Sequence, residues 1–354
     1  MAVSACPGDL TAPRDMTKIK RKSYMIRPGI PAPNLAPLMG AGTLRERGGV
    51  VYRELRARSL LNRCDSPRMP FEWTVNPYRG CAMGCRYCYA AYTHEFMGIS
   101  TPEDFHSTIF VKRGAEEETA RRLAPIVRRG QRIALGTATD PYQPGEAQEG
   151  VTRRFLEAVA RHRDVRLGIT TKGTIVLRDL DLLRRIHARS RLSIHVSLIS
   201  LDAELLRRLE PWAPPPAVRI EVLRRLTEAG LCVGISVAPV LPAITDAEPD
   251  LDALLARAAS VGVRRMAYNI LFLRSPTREK YLRWLSAEFP QHLEAYRRAY
   301  GGRVYLAGAY RDRLRQRIER LRQKHGFEAS FDKWGVAAFL LRLALQLALW
   351  EAPG

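Results

Sequence analysis

From residue 72 onward the chain alternates two apolar patterns. Short runs rich in β-branched residues occur at EWTVNPY (72–78), RIALGTAT (132–139), VRLGITT (165–171), RLSIHVSLI (191–199), LCVGISVAPV (231–240) and RRMAYNILFL (264–273). Between them lie EEETARRLAPIVRR, VTRRFLEAVARH, LRDLDLLRRIHAR, AVRIEVLRRLTEAG and DLDALLARAASVG, with apolar residues every three or four positions. The first pattern predicts strands and the second helices. Six strands alternating with helices predict a parallel sheet with right-handed crossovers. Polar residues gather at the C-terminal ends of the strands: Asn76, Thr137, Thr139, Asp140, Thr171, Lys172 and Ser197. An open sheet would concentrate them at one switch point, whereas a barrel distributes them around its rim. The predicted fold class is therefore α/β, a partial (β/α)6 TIM-like barrel with an N-terminal arm and a helical C-terminal cap.

The flanks set the predicted boundaries. Residues 1–70 form a basic, partly flexible extension, with a Pro-rich arm over 1–40 that carries the basic run KIKRK at 18–22. Residues 71–274 hold the βα core, and 275–354 a basic helical extension that includes YRDRLRQRIERLRQK at 310–324. The most apolar stretch, WGVAAFLLRLALQLALW at 334–350, is short for a membrane span, and Arg342 near its centre would be costly in lipid. A packing helix is expected there and no membrane association. The N-terminal residues lack the apolar core of a signal peptide.

Charge and cysteine usage narrow the partners and the compartment. Lys and Arg number 57 against 36 Asp and Glu, giving +21 and a pI near 10.3. That field attracts polyanions and makes DNA or RNA a candidate partner. Only eight of the basic residues are Lys, a skew that genome composition alone can produce. Cys6, Cys64 and Cys232 show no paired spacing in a chain too long for a disulfide scaffold, so a reducing cytoplasm is expected. No Gly-rich phosphate loop is present, which removes P-loop nucleotide chemistry.

The other three cysteines lie together in NPYRGCAMGCRYCYAAYTHEF (76–96), as Cys81, Cys85 and Cys88 in C-x3-C-x2-C spacing directly after the first strand. Three thiolates can converge on a soft metal centre. A zinc site needs a fourth ligand, for which Cys64 or His94 can be nominated, although neither has C-x2-C or H-x3-H spacing. A cubane iron–sulfur cluster takes one protein ligand per iron, so three cysteines leave one iron open.

A C-x3-C-x-aromatic-C run after a first strand, in a chain of six βα units, resembles the radical S-adenosylmethionine (radical SAM) superfamily, over residues 72–273. NPYRGC, YCYA and GTATDPYQPGE are similar to its spore photoproduct lyase-like (DNA repair photolyase-like) branch. The resemblance implies a [4Fe-4S] cluster on Cys81, Cys85 and Cys88. It also implies SAM chelated at the open iron, reductive cleavage of SAM to a 5′-deoxyadenosyl radical, and an electron donor such as flavodoxin or ferredoxin. It places Tyr87 beside the adenine, Lys172 at the SAM carboxylate and Ser197 in contact with SAM. Other members hold the SAM amino group with a Gly-Gly-Glu segment after the second strand. This chain has none, and Thr139, Asp140 or Glu146 stand in that region.

In the lyase the second strand ends in Cys-Thr-Ser-Asp, whose cysteine donates hydrogen. Here the run is Thr137-Ala138-Thr139-Asp140, so a hydroxyl replaces the thiol. A hydroxyl O–H is too strong to quench a carbon radical, and Tyr89, shared with the lyase, becomes the candidate relay. Trp212 in EPWAP (210–214) is a candidate stacking residue near the rim. The arginines of 310–324 either contact phosphates or pair with neighbouring acids. Three functions compete: a radical SAM enzyme acting on nucleic acid or nucleotide, one acting on a peptide or metabolite, and a zinc-stabilised nucleic-acid-binding protein.

Overall fold

The structure, a computed structural model, describes residues 43–47, 49–66, 69–95 and 104–329. The Pro-rich arm with its basic run at 18–22, Cys6 and the apolar segment at 334–350 lie outside the described residues.

The strands are β1 (Thr43–Arg47), β2 (Val50–Arg56), β3 (Leu61–Arg63), β4 (Trp73–Val75), β5 (Tyr78–Arg79) and β6 (Thr108–Arg113). There follow β7 (Arg132–Leu135), β8 (Arg166–Thr171), β9 (Arg191–Ser197), β10 (Val233–Val240), β11 (Arg265–Ile270) and β12 (Glu328–Ala329). The strands β4 and β7 to β11 fall inside the six predicted segments. They pair in sequence order, all parallel, with β12 continuing the sheet beyond β11 and β3 closing the other side antiparallel to β4. Each new strand is added on the same side, as in a barrel, with no reversal of order. The sheet stays open, with β3 and β12 as its edges, so the barrel is partial.

A second, four-stranded sheet, β1-β2-β6-β5, stands, apart from Tyr78 of β5, on residues for which no strand was predicted. It pairs β2 parallel with β6 and sets β5 antiparallel to β6. Residues 43–63 of the expected extension thus form strands paired with the core. Tyr52 and Leu55 of β2 are buried, and Val50 of the same VVYRELR strand packs partly buried against the core.

The main helices are α1 (Glu116–Arg128), α2 (Val151–Val159), α3 (Leu180–His187), α4 (Ala203–Leu209), α5 (Pro216–Glu228) and α6 (Glu248–Ser260). The C-terminal ones are α7 (Thr277–Glu288), α8 (Pro290–Tyr300) and α9 (Ala309–Lys324). Two buried tyrosines of α8 tie it to the strand ends: Tyr296 donates to the Pro242 carbonyl at 2.6 Å and Tyr300 to the Leu271 carbonyl at 2.7 Å. On α9 the arginines are largely neutralised. Arg317 and Arg320 meet Glu248, Lys324 meets Asp252, and Arg322 pairs with Glu319, the pattern expected of a solvated helix face. Among the described residues no helix is long and apolar enough to cross a membrane.

Alternation along the strands separates core from site. Leu167, Ile169, Leu192, Ile194, Val196, Ile235 and Val237 are fully buried. The alternate residues, Gly168, Thr170, Ser193, His195, Ser197, Ser236 and Ala238, line an interior cavity of about 440 Å³. A closed TIM barrel fills this space with branched side chains. Small and polar residues here leave it open.

Candidate active site

The cysteine loop leaves β4 and is fastened by each element that surrounds it. The Asn76 amide accepts from the Ala138 N–H at 2.8 Å and lies 3.1 Å from the Thr137 hydroxyl, joining the exits of β4 and β7. Gly80 turns the chain at φ +83, where a Cβ would stand 2.7 Å from the Thr108 carbonyl oxygen, so no other residue fits. Its own carbonyl accepts from the Thr139 hydroxyl at 2.6 Å, and Gln143 receives the Ala82 N–H at 2.9 Å. His106 Nδ1–H donates to the Cys81 carbonyl at 2.8 Å; burial lowers this histidine to about 3, so it is neutral. The Arg86 N–H donates to the Leu209 carbonyl at 2.9 Å, and the Thr277 hydroxyl to the Cys88 carbonyl at 2.7 Å. Trp212 covers Gly84 so closely that an added Cβ would meet its ring at 2.6 Å. The ring expected to stack on substrate thus lies over the cysteine loop, with 54% of its surface exposed.

Ten of the candidate residues, Cys81, Cys85, Tyr87, Cys88, Tyr89, Thr137, Thr139, Asp140, Lys172 and Ser197, line one cavity, while Glu146 and Trp212 do not. Burial raises the Cys81 thiol well above its ordinary range, with Asp140 and the other two cysteines adding to the effect. Burial also pushes Cys85 up to about 12, although Lys172 pulls against it, and raises Cys88. Thiols this reluctant to ionise stay protonated on their own and release their protons when a metal centre binds the sulfur. Among the described residues no three His, Cys, Asp or Glu side chains are placed to hold a single metal ion. The nominated zinc ligands do not line the cavity. His94 bonds the Thr108 carbonyl at 3.1 Å and packs on Phe105, and the Cys64 backbone N–H donates to the Glu72 carbonyl at the opposite end of β4. Three soft sulfurs presented to a cavity fit a cluster that takes one thiolate per iron.

A buried charge network stands beside the thiols. Lys172 Nζ lies 3.9 Å from Glu210 Oε1 and 5.8 Å from the centre of the Tyr87 ring. Glu210 also meets the Arg219 guanidinium and accepts the Tyr87 hydroxyl. Burial alone would raise Glu210, but Arg219 and Lys172 hold it below the usual carboxylate range. Burial would depress Lys172, but Cys85 and Glu210 hold it above the ordinary lysine value. Both therefore stay charged. Arg219 Nη1 further donates to the Ser197 carbonyl at 3.1 Å, which fixes the end of β9. Glu210 was not singled out from the sequence. Its place in EPWAP beside Trp212 was the available signal, and its partner Tyr87 lies 123 residues away.

Two candidates for the SAM amino group are occupied within the protein. The Asp140 carboxylate accepts the Tyr142 N–H at 2.9 Å, the Thr171 hydroxyl at 2.6 Å and the Lys172 N–H at 2.6 Å, tying the exit of β7 to that of β8. Its own N–H points at Cys81 Sγ, 3.4 Å away. Glu146 is buried under Tyr78, Arg178 and the N–H groups of Thr152 and Arg153, away from the cavity. The relay candidate meets the residue that stands in place of the lyase thiol: Tyr89 donates its hydroxyl to the Thr137 carbonyl, and its ring lies 5.3 Å from Phe272.

Residues 75–256 match the family model of the radical SAM superfamily. The chain belongs to that superfamily. As a radical SAM enzyme it uses a [4Fe-4S] cluster and SAM, and its chemistry calls for a one-electron reductant. An uncharacterized protein of Mycobacterium tuberculosis is 36% identical over 278 residues, covering 78% of this chain and 82% of the relative. A second, from Acidianus two-tailed virus, is 27% identical over 290 residues, or 79% of this chain and 88% of that one. Spore photoproduct lyase complexed with dinucleoside spore photoproduct superposes with a TM-score of 0.61 at 17% identity, over 78% of this chain and 81% of that one. A variant of that lyase with bound AdoMet gives 0.60 at 16%, over the same shares of the two chains. At such identity the lyase shares the fold of this radical SAM enzyme, which is the partial barrel described above.

Proposed function

We propose that Cys81, Cys85 and Cys88 hold the [4Fe-4S] cluster, that SAM lies beside it in the cavity, and that the substrate is a nucleic acid or nucleotide. The observation that carries this reading is the convergence of three clamped thiols and the Lys172–Glu210–Tyr87 network on one cavity. Cluster and SAM together supply reductive cleavage to methionine and a 5′-deoxyadenosyl radical. Lys172, kept protonated, offers its ammonium to the SAM carboxylate. Tyr87, with its hydroxyl anchored on Glu210, gives an aromatic wall for the adenine. Ser197 contributes its hydroxyl from the end of β9. Thr139 and Asp140 act by shaping the loop, Asp140 reaching the cluster through its N–H toward Cys81.

For the return of hydrogen, Thr137 has the wrong bond strength. Tyr89 has a weaker O–H, held at the Thr137 carbonyl where the lyase branch places its thiol. The neutral, hydrogen-bonding lumen walls of Thr170, Ser193, Ser236 and Asn269 suit a base or a sugar, and a fold-sharing lyase was solved with a dinucleoside. Flavodoxin or ferredoxin is the proposed reductant, in the cytoplasm. Anaerobic reconstitution followed by dithionite reduction is expected to give about four Fe and four sulfide per chain and slow release of 5′-deoxyadenosine. A fully loaded protein that releases none overturns the reading.

A further inference from the structure

We propose that the N-terminal edge of the parallel sheet, the face opposite the cysteine loop, binds the phosphate backbone of nucleic acid. Three adjacent strands begin with arginine, and the register aligns them: Arg132 is opposite Arg166, and Arg166 is opposite Arg191. Neighbouring strands are about 4.8 Å apart, so three guanidinium-bearing positions fall within about 10 Å. Arg132 lines the lower end of the cavity, and strand alternation places Arg166 and Arg191 on the same face as Gly168 and Ser193. The incoming loops add Arg129, Arg161 and Arg189, all exposed, and among 129–132, 161–166 and 189–191 the only acidic residue is Asp164.

Of these six arginines only Arg132 has a carboxylate partner among the described residues, Glu72 at 2.7 Å. On α9, by contrast, Arg317, Arg320 and Arg322 each face a glutamate. Cations near helix C-termini are favoured by the helix dipole, which accounts for Arg129, Arg161 and Arg189. It does not account for Arg166 and Arg191, which open strands. Like charges directly opposite on neighbouring strands are destabilising, so the ladder calls for an anion. Five guanidiniums with no carboxylate partner among the described residues exceed what one phosphate neutralises and match a chain of phosphates. Arginine also presents a planar fork suited to phosphate oxygens. No exposed large apolar side chain lies in the three loops, which disfavours a lipid surface. The β8 strand spans Arg166–Thr171, so this face lies about 17 Å from the Lys172 end of the cavity. It is a second contact, distinct from the chemistry.

The test is fluorescence anisotropy of the reconstituted protein with a labelled single-stranded 12-mer, titrated at several salt concentrations. Arg166→Gln/Arg191→Gln removes two phosphate contacts and is expected to flatten the plot of log K against log salt by about 1.4, with 5′-deoxyadenosine release unchanged. The exposed loop pair Arg161→Gln/Arg189→Gln, which leaves strand packing alone, is expected to do the same. A charge-matched control away from the face, Arg207→Gln/Arg297→Gln, is expected to keep the wild-type slope. No binding at low salt, an unchanged slope in both test pairs, or an equal loss in the control overturns the proposal. So does equally tight, equally Arg-dependent binding to phosphatidylserine vesicles. Since binding is read without turnover, failure here is separable from failure of the radical chemistry.

Discussion

Replacing Glu210 by Gln keeps the size of the side chain and removes one negative charge from a fully buried site. Arg219, 1% exposed, then loses its carboxylate and keeps only neutral oxygens as partners, the carbonyls of Pro214 and Ser197 among them. Breaking a buried pair from one side costs about 3–5 kcal/mol, because the remaining charge is left in a low dielectric. Taking about 2 °C per kcal/mol for a chain of this size, melting should fall by roughly 6–10 °C. Lys172 responds as well. Its charge is held against burial by Cys85 and Glu210, so losing one of them moves its proton affinity down and should weaken the proposed contact with the SAM carboxylate. The acid side gives the sign check. The folded-state pKa of Glu210 is depressed, so its stabilisation is present above the ordinary glutamate range and is lost only as pH falls below it. In Glu210→Gln that acid-side loss should vanish from the stability–pH curve. The assays are thermal melts from pH 3 to 8 and SAM affinity by equilibrium dialysis. A variant that melts within about 2 °C of wild type, far short of a broken buried pair, and binds SAM equally well refutes the network's role.

Single Cys81→Ala, Cys85→Ala and Cys88→Ala variants should each lose the cluster on anaerobic reconstitution, whereas Cys64→Ala and Cys232→Ala should keep it. Loss of iron in Cys64→Ala would end the open-iron model. Thr137→Cys places a thiol at the donor position of the lyase branch and should raise spore photoproduct reversal in a dinucleoside assay above wild type; equal activity would show that the missing thiol is not what separates the two. His195 in the lumen is held down to about 4 by burial and then by Arg265, so it folds neutral. Its contribution is present above about 6.5 and is lost as pH falls toward 4, with a slope of at most about 1.4 kcal/mol per pH unit. Urea melts across that window should lose this slope in His195→Asn, and an unaltered slope would place the titration elsewhere.

The barrel strands were legible because each is an apolar run buried on one side by helices, so local pattern and tertiary burial agree. The smaller sheet was not. The β6 segment TIFVKR ends in two basic residues and finds its partners in β2, more than fifty positions earlier, a pairing that no local period encodes. The same divide runs through the site. Rim residues could be named from strand ends, because parallel strands bring their C-terminal ends together whatever their spacing in the chain. What those residues bond to could not. The Asp140 carboxylate, named from the sequence for SAM, also braces β7 against β8, and Glu210, not singled out from the sequence, holds Tyr87, Lys172 and Arg219.

Charge was the least legible quantity, since +21 is a sum without a location. The fold distributes it unevenly. Inside the cavity Lys172 and Arg132 each face a glutamate, and on α9 carboxylates answer most of the arginines. Beside these pairs the cavity walls are neutral hydrogen-bonding groups, Thr170, Ser193, Ser236 and Asn269. The guanidiniums that open β8 and β9, with no carboxylate partner among the described residues, stand at the other end of the same strands. A nucleic-acid partner would thus be gripped by its backbone on one face while chemistry on a base or sugar proceeds on the other. A substrate long enough to reach both must run at least the roughly 17 Å length of a strand. Oligonucleotides too short to bridge that distance should bind the arginine face without being positioned for turnover.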